Sequence, residues 1–445
     1  MENEKQNSFC KRVPNLLSSF VDTFVDFSVS GGIFLPPPPS SPPPPLPTRL
    51  PSPQRLIAIG DLHGDLKKTK EALRIAGLID DSDKYIGGSS TVVQVGDVLD
   101  RGGDEIKILY LLEKLKREAA IQGGRFITMN GNHEIMNVEG DFRFATKSGV
   151  DEFRVWLKWF REGNKMKSLC KDLEPPLDPL DGVHVVFRGA RREFHDGLRA
   201  RVAALRPNGP ISRRFFTQNV TVLVVGDSIF VHGGLLQEHV DYGLEKINSE
   251  VIDWVNGNYG NRLSPGYCRG RNAVVWLRKF SDGNCDCSSL EHVLSTIPGV
   301  KRMIMGHTIQ RGGINGVCGN KAIRIDVGMS KGCGGGLPEV LEIDRVSGVN
   351  ILTSNSLYHQ DVDVGKVEEG LGSLINNDQD VRPRQVELET VVMLQTLDLI
   401  DHAFALCNSR NIWLDLLAYV WWRTCDSASI SVSALEPTLH SAPKS

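Results

Sequence analysis

The folded part of the chain begins with RLIAIGDLHG at residues 55–64, an apolar run that ends in Gly-Asp. Two later stretches repeat this pattern, TVVQVGDVLDRG at 91–102 and FITMNGNHE at 126–134. Each apolar run is four or five residues long and ends near a glycine, which is typical of a buried strand. Residues 66–76 and 105–122 lie between the runs and carry apolar side chains at helical spacing. This alternation predicts parallel strands joined by crossover helices, and hence an α/β fold.

Polar side chains follow the predicted strands directly. Asp61, Asp97 and Asn132 each stand just past the end of a run. Because the carboxyl ends of neighbouring parallel strands meet at one edge of a sheet, we expect these three side chains to converge. Further strands are predicted at residues 220–225, 229–231, 302–305, 322–327 and 340–343. The second and third of these runs end at His232 and just before His307, so two histidines are expected at the same edge.

Composition divides the chain into three parts. Residues 1–53 contain a dense proline run and are expected to form an N-terminal tail with a proline-rich linker. Residues 54–360 are expected to form one large folded domain, and residues 361–445 a C-terminal extension. A long insertion at 135–219 interrupts the domain. Its first half has helical spacing, and its second half, 188–214, carries eight arginines.

Charge and cysteine content narrow the possible classes of function. A net charge of −3, from 51 basic and 54 acidic residues, provides no overall attraction to nucleic acid or to an anionic membrane. Nine scattered cysteines without a CxxC pair predict free thiols in a reducing compartment. Cys285-Asp286-Cys287 is the exception, because it lies in a polar loop and could take part in redox control. No secretory signal or membrane span is visible, so the cytoplasm is the expected compartment; oxidised cysteines would instead indicate an oxidising site such as the mitochondrial intermembrane space.

The polar fragments together predict a dinuclear metal site. Asp, His and Asn are ligands that divalent ions of intermediate hardness accept. Two ions about 4 Å apart can bind both the attacking and the leaving oxygen of a phosphoryl transfer, and they can lower the pKa of a bound water so that hydroxide becomes the nucleophile. The central carboxylate, with two oxygens, is the natural bridge between the ions. The expected ligands are Asp61, His63, Asp97, Asn132, His232 and His307.

The order and spelling of these fragments resemble the phosphoprotein phosphatases, within the metallophosphoesterases. The resemblance is carried by GDLHG at 60–64, GDVLDRG at 96–102 and GNHE at 131–134. The resemblance is to a bacterial-like branch found in plants, the Shewanella-like protein phosphatases of the second plant type, and it is carried by the long insertion, Asn130 and Val98-Leu99 together. The resemblance covers about residues 54–390. It implies a calcineurin-like β-sandwich flanked by helices, with a dinuclear metal site at the carboxyl ends of its strands.

The resemblance also implies roles for residues outside the ligand set. Asp100 would orient His133, and His133 would be the general acid that protonates the leaving oxygen. Arg101 offers a planar fork to phosphate oxygens. Asn130 stands where the eukaryotic enzymes have an arginine, so a second phosphate contact must come from elsewhere. The candidates are Arg278 in the segment VVWLR, and Arg188 or Arg191 of the insertion.

The combined expectation is a metal-dependent protein phosphatase that acts on phosphoserine or phosphothreonine, with phosphotyrosine as a further candidate substrate. Manganese is the expected metal, with iron or zinc as alternatives. Phosphoproteins are the expected partners. The proline-rich run is more simply a stiff spacer than a ligand for an SH3- or WW-like domain. Three alternatives stay open: a diadenosine tetraphosphate hydrolase, a nucleic-acid phosphodiesterase and a non-catalytic binding scaffold.

Overall fold

The computed structural model describes residues 13–354, apart from 38–45, 169–176, 188, 261–262 and 347. The strands are β1 Arg49–Leu50, β2 Arg55–Ile59, β3 Thr91–Gln94, β4 Arg125–Thr128, β5 Val222–Val225, β6 Ser228–Val231, β7 Arg302–Met305, β8 Asn315–Val317, β9 Ala322–Arg324, β10 Glu339–Asp344 and β11 Gly348–Thr353. The α-helices are α1 Val13–Ser30, α2 Leu66–Ile75, α3 Glu105–Ile121, α4 Asn132–Glu139, α5 Lys147–Ser168, α6 His195–Leu205, α7 Gln237–Tyr242, α8 Leu244–Val255 and α9 Cys287–Ser295.

The strands form two sheets. The first has the order β11-β10-β2-β3-β4, in which β2, β3 and β4 are parallel and β10 runs antiparallel to β2. The second has the order β1-β5-β6-β7-β9-β8, in which β6, β7 and β9 are parallel. The parallel pairing of β2, β3 and β4 confirms the strand–helix alternation predicted from the sequence.

The central strands are covered on both faces. Every residue of β5 and β6 is buried, as are all but the first residues of β2, β3 and β4. A strand buried on both faces must lie between two layers. Helix α3 packs on β4 and helix α8 packs on β5, and a bridge between Met129 and Val220 joins the edges of the two sheets. The expected β-sandwich flanked by helices is therefore confirmed, and its apolar core lies between these layers.

Two differences from the predicted elements are informative. The strand expected at 322–327 is too long, because β9 ends at Arg324. Ile325 N still donates to Met305 O at 2.8 Å, and beyond it the chain turns so that Asp326 lies in the cluster of metal-ligand candidates. Strand β8 was not predicted; it pairs antiparallel with β9 over three residues.

Helix α1 lies within the segment that the sequence analysis assigns to an N-terminal tail. Val21, Val25 and Val29 are buried because the helix packs on α3 and α5. Asp26, one of the residues that interrupt its apolar pattern, accepts hydrogen bonds from Arg214 at 2.6 and 2.8 Å. Part of the predicted tail is thus packed on the domain. The proline run from 38 to 45 and the C-terminal extension at 361–445 lie outside the described residues.

The insertion contributes α5 and α6, which pack on each other. Helix α5 covers the half that was predicted to be helical, and it buries Phe153 and Trp156. None of the helices in the described part of the chain is long and apolar enough to cross a membrane.

The expectation of free thiols is wrong for Cys318, and it does not hold for Cys287, which belongs to the pair that the sequence set apart for redox control. Cys287, the first residue of α9, forms a disulfide with Cys318, which directly follows β8. Their separation of 31 residues gave no local signal, because tertiary folding alone brings them together. Cys268, Cys285 and Cys333 are free thiols, and the other four cysteines lie outside the described residues.

Candidate dinuclear metal centre

Three loops bring Asp61, Asp97 and Asn132 together. Strands β2, β3 and β4 are in-register parallel neighbours, so the loops that follow them leave the same edge of the sheet. His133 N donates a hydrogen bond to Asp97 Oδ1 at 2.9 Å. Asn132 Oδ1 lies 3.0 Å from His232 Nε2. The convergence expected from the strand ends is therefore present as direct contact between loops.

Asp97 is the centre of the cluster. Its Oδ2 lies 3.1 Å from His232 Nε2, 3.6 Å from His63 Nε2 and 3.9 Å from His133 Nε2. Its carboxylate also groups with His232 and His307, with all ligand atoms within 4.8 Å of one another. A carboxylate close to several imidazoles is suited to be a ligand that divalent cations would share.

Each candidate ligand histidine turns one ring nitrogen toward the cluster. His63 Nδ1 donates to Leu99 O at 2.9 Å, and His232 Nδ1 donates to Val95 O at 3.0 Å. Their Nε2 atoms therefore point into the cluster, where His232 Nε2 meets oxygens of Asn132 and Asp97. His307 Nε2 is buried and has no hydrogen-bond partner in the described part of the protein. An imidazole that a backbone carbonyl orients through one nitrogen, as at His63 and His232, commonly presents its other nitrogen to a metal ion.

Buried carboxylates also fit a bound cation. Burial, followed by repulsion from Asp326 and Asp97, raises the pKa of Asp61 well above its ordinary value. Burial acts on Asp97 in the same direction, but His232 and His133 outweigh it and hold the Asp97 pKa well below its ordinary value. A divalent ion relieves the repulsion between such groups. The donor set of carboxylates, imidazoles and an amide oxygen therefore fits divalent metals.

Asp326 is a site residue that the sequence analysis did not identify. It is buried, lies two residues beyond β9, and lines the same cavity as His63 and Asp97. Its Oδ1 accepts a hydrogen bond from Gly328 N at 2.8 Å. An acidic residue inside the apolar run 322–327 was the available signal.

His133 and Asp100 form a separate unit beside the cluster. His133 Nδ1 donates to Asp100 Oδ2 at 2.6 Å, and Asp100 is fully buried. Burial lowers the pKa of His133, but Asp97 and the hydrogen-bonded Asp100 outweigh this effect and raise it. The Nε2 atom faces Asp97. An imidazole whose Nδ1 is held in this way is oriented to transfer a proton through Nε2.

The insertion reaches this unit through Arg201, a fully buried residue of α6. Its guanidinium donates to Asp100 Oδ1 at 2.8 Å, to the two oxygens of Glu105 at 2.8 and 2.7 Å, and to Asn137 Oδ1 at 2.8 Å. Asn137 Nδ2 in turn donates to Asp100 Oδ2 at 2.9 Å. The role of Arg201 could not be predicted from the sequence, where it is one of eight arginines in the second half of the insertion, because no local pattern distinguishes a buried arginine from an exposed one.

Glu134, the last residue of GNHE, holds the loops in place. Its carboxylate accepts hydrogen bonds from Asp97 N and Gly131 N at 2.8 Å and from Val98 N at 2.9 Å. Several site residues adopt left-handed backbone conformations that cost about 1–3 kcal/mol each, so contacts of this kind must maintain them. Their φ angles are +44° at His63, +56° at Asp97, +68° at Asp100, +60° at Arg101 and +65° at His307.

Two of the arginines considered from the sequence line the cavity at this site, whose volume is about 280 Å³. The Arg101 guanidinium lies 4.7 Å from the ring centre of Phe144, and its buried Nε has no hydrogen-bond partner among the described residues. Arg278 Nη1 donates to His307 O and to Thr308 Oγ1, both at 2.9 Å. Both arginines are therefore placed to meet an anion beside the metal ligands.

The other arginine candidates are not brought to the cavity. Arg191 has 82% of its side chain exposed and lies 3.8 Å from Glu193, and it is not part of the cavity lining. Arg188 lies outside the described residues. Asn130 is buried and accepts a hydrogen bond from Asn219 at 3.1 Å, so it contributes to loop packing and does not line the cavity.

This chain is similar to known proteins in sequence and in fold. Residues 54–311 match the calcineurin-like phosphoesterase family. The chain is 62% identical over 392 residues to Shewanella-like protein phosphatase 2 of Arabidopsis thaliana, covering 87% of this chain and 99% of that protein. It is 28% identical over 307 residues to Shewanella-like protein phosphatase 1 of Plasmodium berghei, covering 65% and 72% of the two chains. A solved structure of a variant cold-active protein tyrosine phosphatase is similar in fold, with a TM-score of 0.50 at 18% identity over 69% of this chain and 83% of that one.

Proposed function

This chain belongs to the calcineurin-like phosphoesterase family and, within it, to the Shewanella-like protein phosphatases, and we propose that it hydrolyses phosphate monoesters on proteins. One observation carries the proposal. A cavity of about 280 Å³ is lined by the Asp97 cluster, by His133 and by two arginines. Ligands for cations, a proton donor and cationic phosphate contacts thus face the same small space, as phosphoryl transfer requires.

The candidate ligands would divide between two ions. Asp61, His63 and Asp97 would hold the first, and Asn132, His232 and His307 would hold the second together with Asp97. When bound, the ions supply charge neutralisation and an activated water. We propose manganese for one or both positions, because carboxylate, imidazole and amide ligands accept it, with iron or zinc as the alternatives.

The protein's own groups carry out the remaining steps. Arg101 and Arg278 bind the nonbridging phosphate oxygens and orient the phosphoryl group. His133 donates its Nε2 proton to the leaving oxygen, while Asp100 retains the Nδ1 hydrogen bond and holds the ring in place. A strong general acid matters most for the alkoxides of serine and threonine, whose conjugate acids have high pKa values. Phe144 and Trp276 also line the cavity, and their rings suit phosphotyrosine.

The first experiment compares substrates directly. Purified protein with Mn²⁺ would be assayed on phosphoserine, phosphothreonine and phosphotyrosine peptides and on diadenosine tetraphosphate, with Asp97→Asn as the metal-site control. We expect peptide turnover that is lost in the variant, and the three peptides then establish the residue preference. Turnover of the nucleotide alone would overturn the proposal in favour of a nucleotide hydrolase, and metal binding without any turnover would favour a scaffold.

We also propose that the protein resides in an oxidising compartment, of which the mitochondrial intermembrane space is one. The Cys287–Cys318 disulfide supports this location over the cytoplasm, because reducing systems of the cytosol keep most protein thiols reduced. Cell fractionation combined with alkylation of free thiols tests it. Recovery of the endogenous protein in the cytosol with both cysteines reduced would contradict it.

A further inference from the structure

A larger groove opens beside the catalytic cavity. It has a volume of about 1120 Å³, and Trp276 and Arg278 line both spaces. One wall is formed by helix α4, whose first residues lie in the metal cluster and whose Ile135 and Met136 face the groove. The other wall comes from segment 268–284. A molecule whose phosphate group is bound at the cluster can therefore extend into the groove.

Two arginines of this groove have no ionic partner among the residues that the structure describes. Arg269 and Arg271 are exposed and separated by a single glycine. No carboxylate in the described ranges lies within 4 Å of either guanidinium. Of the two other cations of the same wall, Lys279 lies 3.2 Å from Asp286, and Arg278 donates to His307 O and Thr308 Oγ1 at the edge of the smaller cavity. The unpaired positive charge of the groove is thus concentrated at Arg269-Gly270-Arg271.

The acidic side chains of the groove already have partners. Asp141 pairs with Arg143 at 2.6 Å. Glu139 accepts hydrogen bonds from Ser264 N at 2.9 Å and from Ser264 Oγ at 2.6 Å. Asp282 accepts one from the next backbone N–H at 2.9 Å. A ligand that enters the groove therefore meets arginines that are free to pair and carboxylates that are already engaged.

We propose that this groove binds the residues flanking the phosphorylated side chain of a protein substrate and that Arg269 and Arg271 select acidic flanking residues. The inference rests on the proposed phosphatase function and names its substrate class: phosphoproteins with Asp or Glu close to the phosphorylated residue. Met136, Leu236 and Leu277 form an apolar part of the lining that accommodates the aliphatic portions of the same segment. Charge complementarity of this kind affects specificity and encounter rate.

The test compares matched phosphopeptides with one phosphorylated residue and acidic or basic residues on its N-terminal side, its C-terminal side or both. p-Nitrophenyl phosphate, which has no flanks, serves as the reference. We expect kcat/KM to favour acidic over basic flanks on one side by roughly three- to thirty-fold, from two partly exposed ion pairs. The preference should shrink as ionic strength rises. Equal kcat/KM for acidic and basic flanks would overturn the inference.

Two double variants with reversed charge, one in the groove and one outside it, test whether the two arginines cause the preference for acidic flanks. In Arg269→Glu/Arg271→Glu, the ratio of acidic-peptide to basic-peptide kcat/KM should fall to one or below, while Arg269→Lys/Arg271→Lys should retain it. The control Arg154→Glu/Lys158→Glu makes the same change in net charge at exposed positions of α5 outside the groove, and it should leave the ratio unchanged. A ratio unaffected by the first double variant would refute the role of the arginines.

The two proposals fail in different ways. Hydrolysis of p-nitrophenyl phosphate and phosphopeptides without a flank preference overturns the groove inference alone. Absence of hydrolysis with every phosphoester by the metal-loaded wild-type protein overturns the proposed function, and the groove inference with it.

Discussion

The candidate site has two halves that are built in different ways, and we name them the metal half and the proton-transfer half after their proposed roles. In the metal half, Asp61, Asp97 and Asn132 follow adjacent parallel strands, so their positions come from the sheet itself. In the proton-transfer half, Asp100 of the His133–Asp100 pair is hydrogen-bonded to Arg201. Arg201 belongs to the insertion and lies 101 residues after Asp100 in the sequence. An inserted segment can therefore hold residues of a candidate site in place even where the sequence motifs of that site give no sign of it.

The two halves also differ in how charge is balanced. The carboxylates of the metal half repel one another, and this repulsion raises the pKa of Asp61 together with burial. In the other half, the Arg201 guanidinium is enclosed by the carboxylates of Asp100 and Glu105 at 2.7–2.8 Å. The carboxylates of the metal half favour binding of a cation from solution, whereas the carboxylates of the proton-transfer half are already paired with the Arg201 guanidinium. Metal removal and mutation of the internal cation should therefore have separable effects.

The largest effect is expected from Asp97→Asn, because this residue contacts both groups of ligands. We expect kcat/KM to fall by about 10³-fold or more, since metal ions contribute several kcal/mol to stabilising the transition state. Metal content per chain, measured on the desalted protein, should fall below two ions. A variant that keeps two ions and loses less than tenfold in kcat/KM would remove Asp97 from the bridging position.

His133→Asn is expected to show the next largest effect, and the effect should depend on the leaving group. With phosphoserine peptide, kcat should fall by roughly 10²–10⁴-fold, the usual contribution of a general acid. With p-nitrophenyl phosphate, whose leaving group needs no proton, the loss should be much smaller. The metal content should remain at two ions. Equal losses with both substrates would contradict the assigned role.

Arg201→Met tests whether the insertion supports the proton-transfer half alone. Breaking a buried ion pair should lower the free energy of unfolding by about 3–5 kcal/mol, measured by urea denaturation. For the folded protein, we expect a loss of kcat that is larger with phosphoserine peptide than with p-nitrophenyl phosphate, and two bound metal ions. Arg201→Lys, which keeps the charge but loses the planar fork, should lie between.

Arg213→Met is a matched control for this variant, because Arg213 is an exposed arginine of the same insertion. It should leave both kcat and the unfolding free energy nearly unchanged. If Arg201→Met loses metal ions, or loses activity equally on both substrates, then the two halves are not separable in the way described.

The smallest effect on kcat is expected from removal of the Cys287–Cys318 disulfide, which belongs to neither half. Neither Cys287 nor Cys318 lines the catalytic cavity. Since Cys285 Sγ lies 3.3 Å from Cys318 Sγ and could replace Cys287, the informative variant is Cys285→Ser/Cys287→Ser, compared with Cys285→Ser alone. The double variant should unfold with about 2–4 kcal/mol less free energy, and metal content should stay the same. Equal unfolding free energies would show that the crosslink does not stabilise the fold.

Much of the sheet could be predicted from local sequence. Short apolar runs ending in Gly-Asp or Gly-Asn mark β2, β3 and β4, and helical spacing marks α2 and α3 to within one residue of their ends. The end of the strand in segment 322–327 was predicted wrongly, because its apolar residues suggested one continuous strand. In the folded protein its second half leaves the sheet and carries Asp326 into the site. Strand propensity cannot indicate where a chain turns away from its neighbour.

The sequence by itself determined the α/β class, the family resemblance and the residues most suited to hold metal ions, because strand ends and motif spacing are local properties of the chain. Tertiary structure alone decided which arginines meet the site, that Arg201 holds Asp100, and that Cys287 joins Cys318. It also decided that helix α1 packs on the domain. The physical reason is that these contacts join segments far apart in sequence, where burial and charge pairing depend on how whole elements pack.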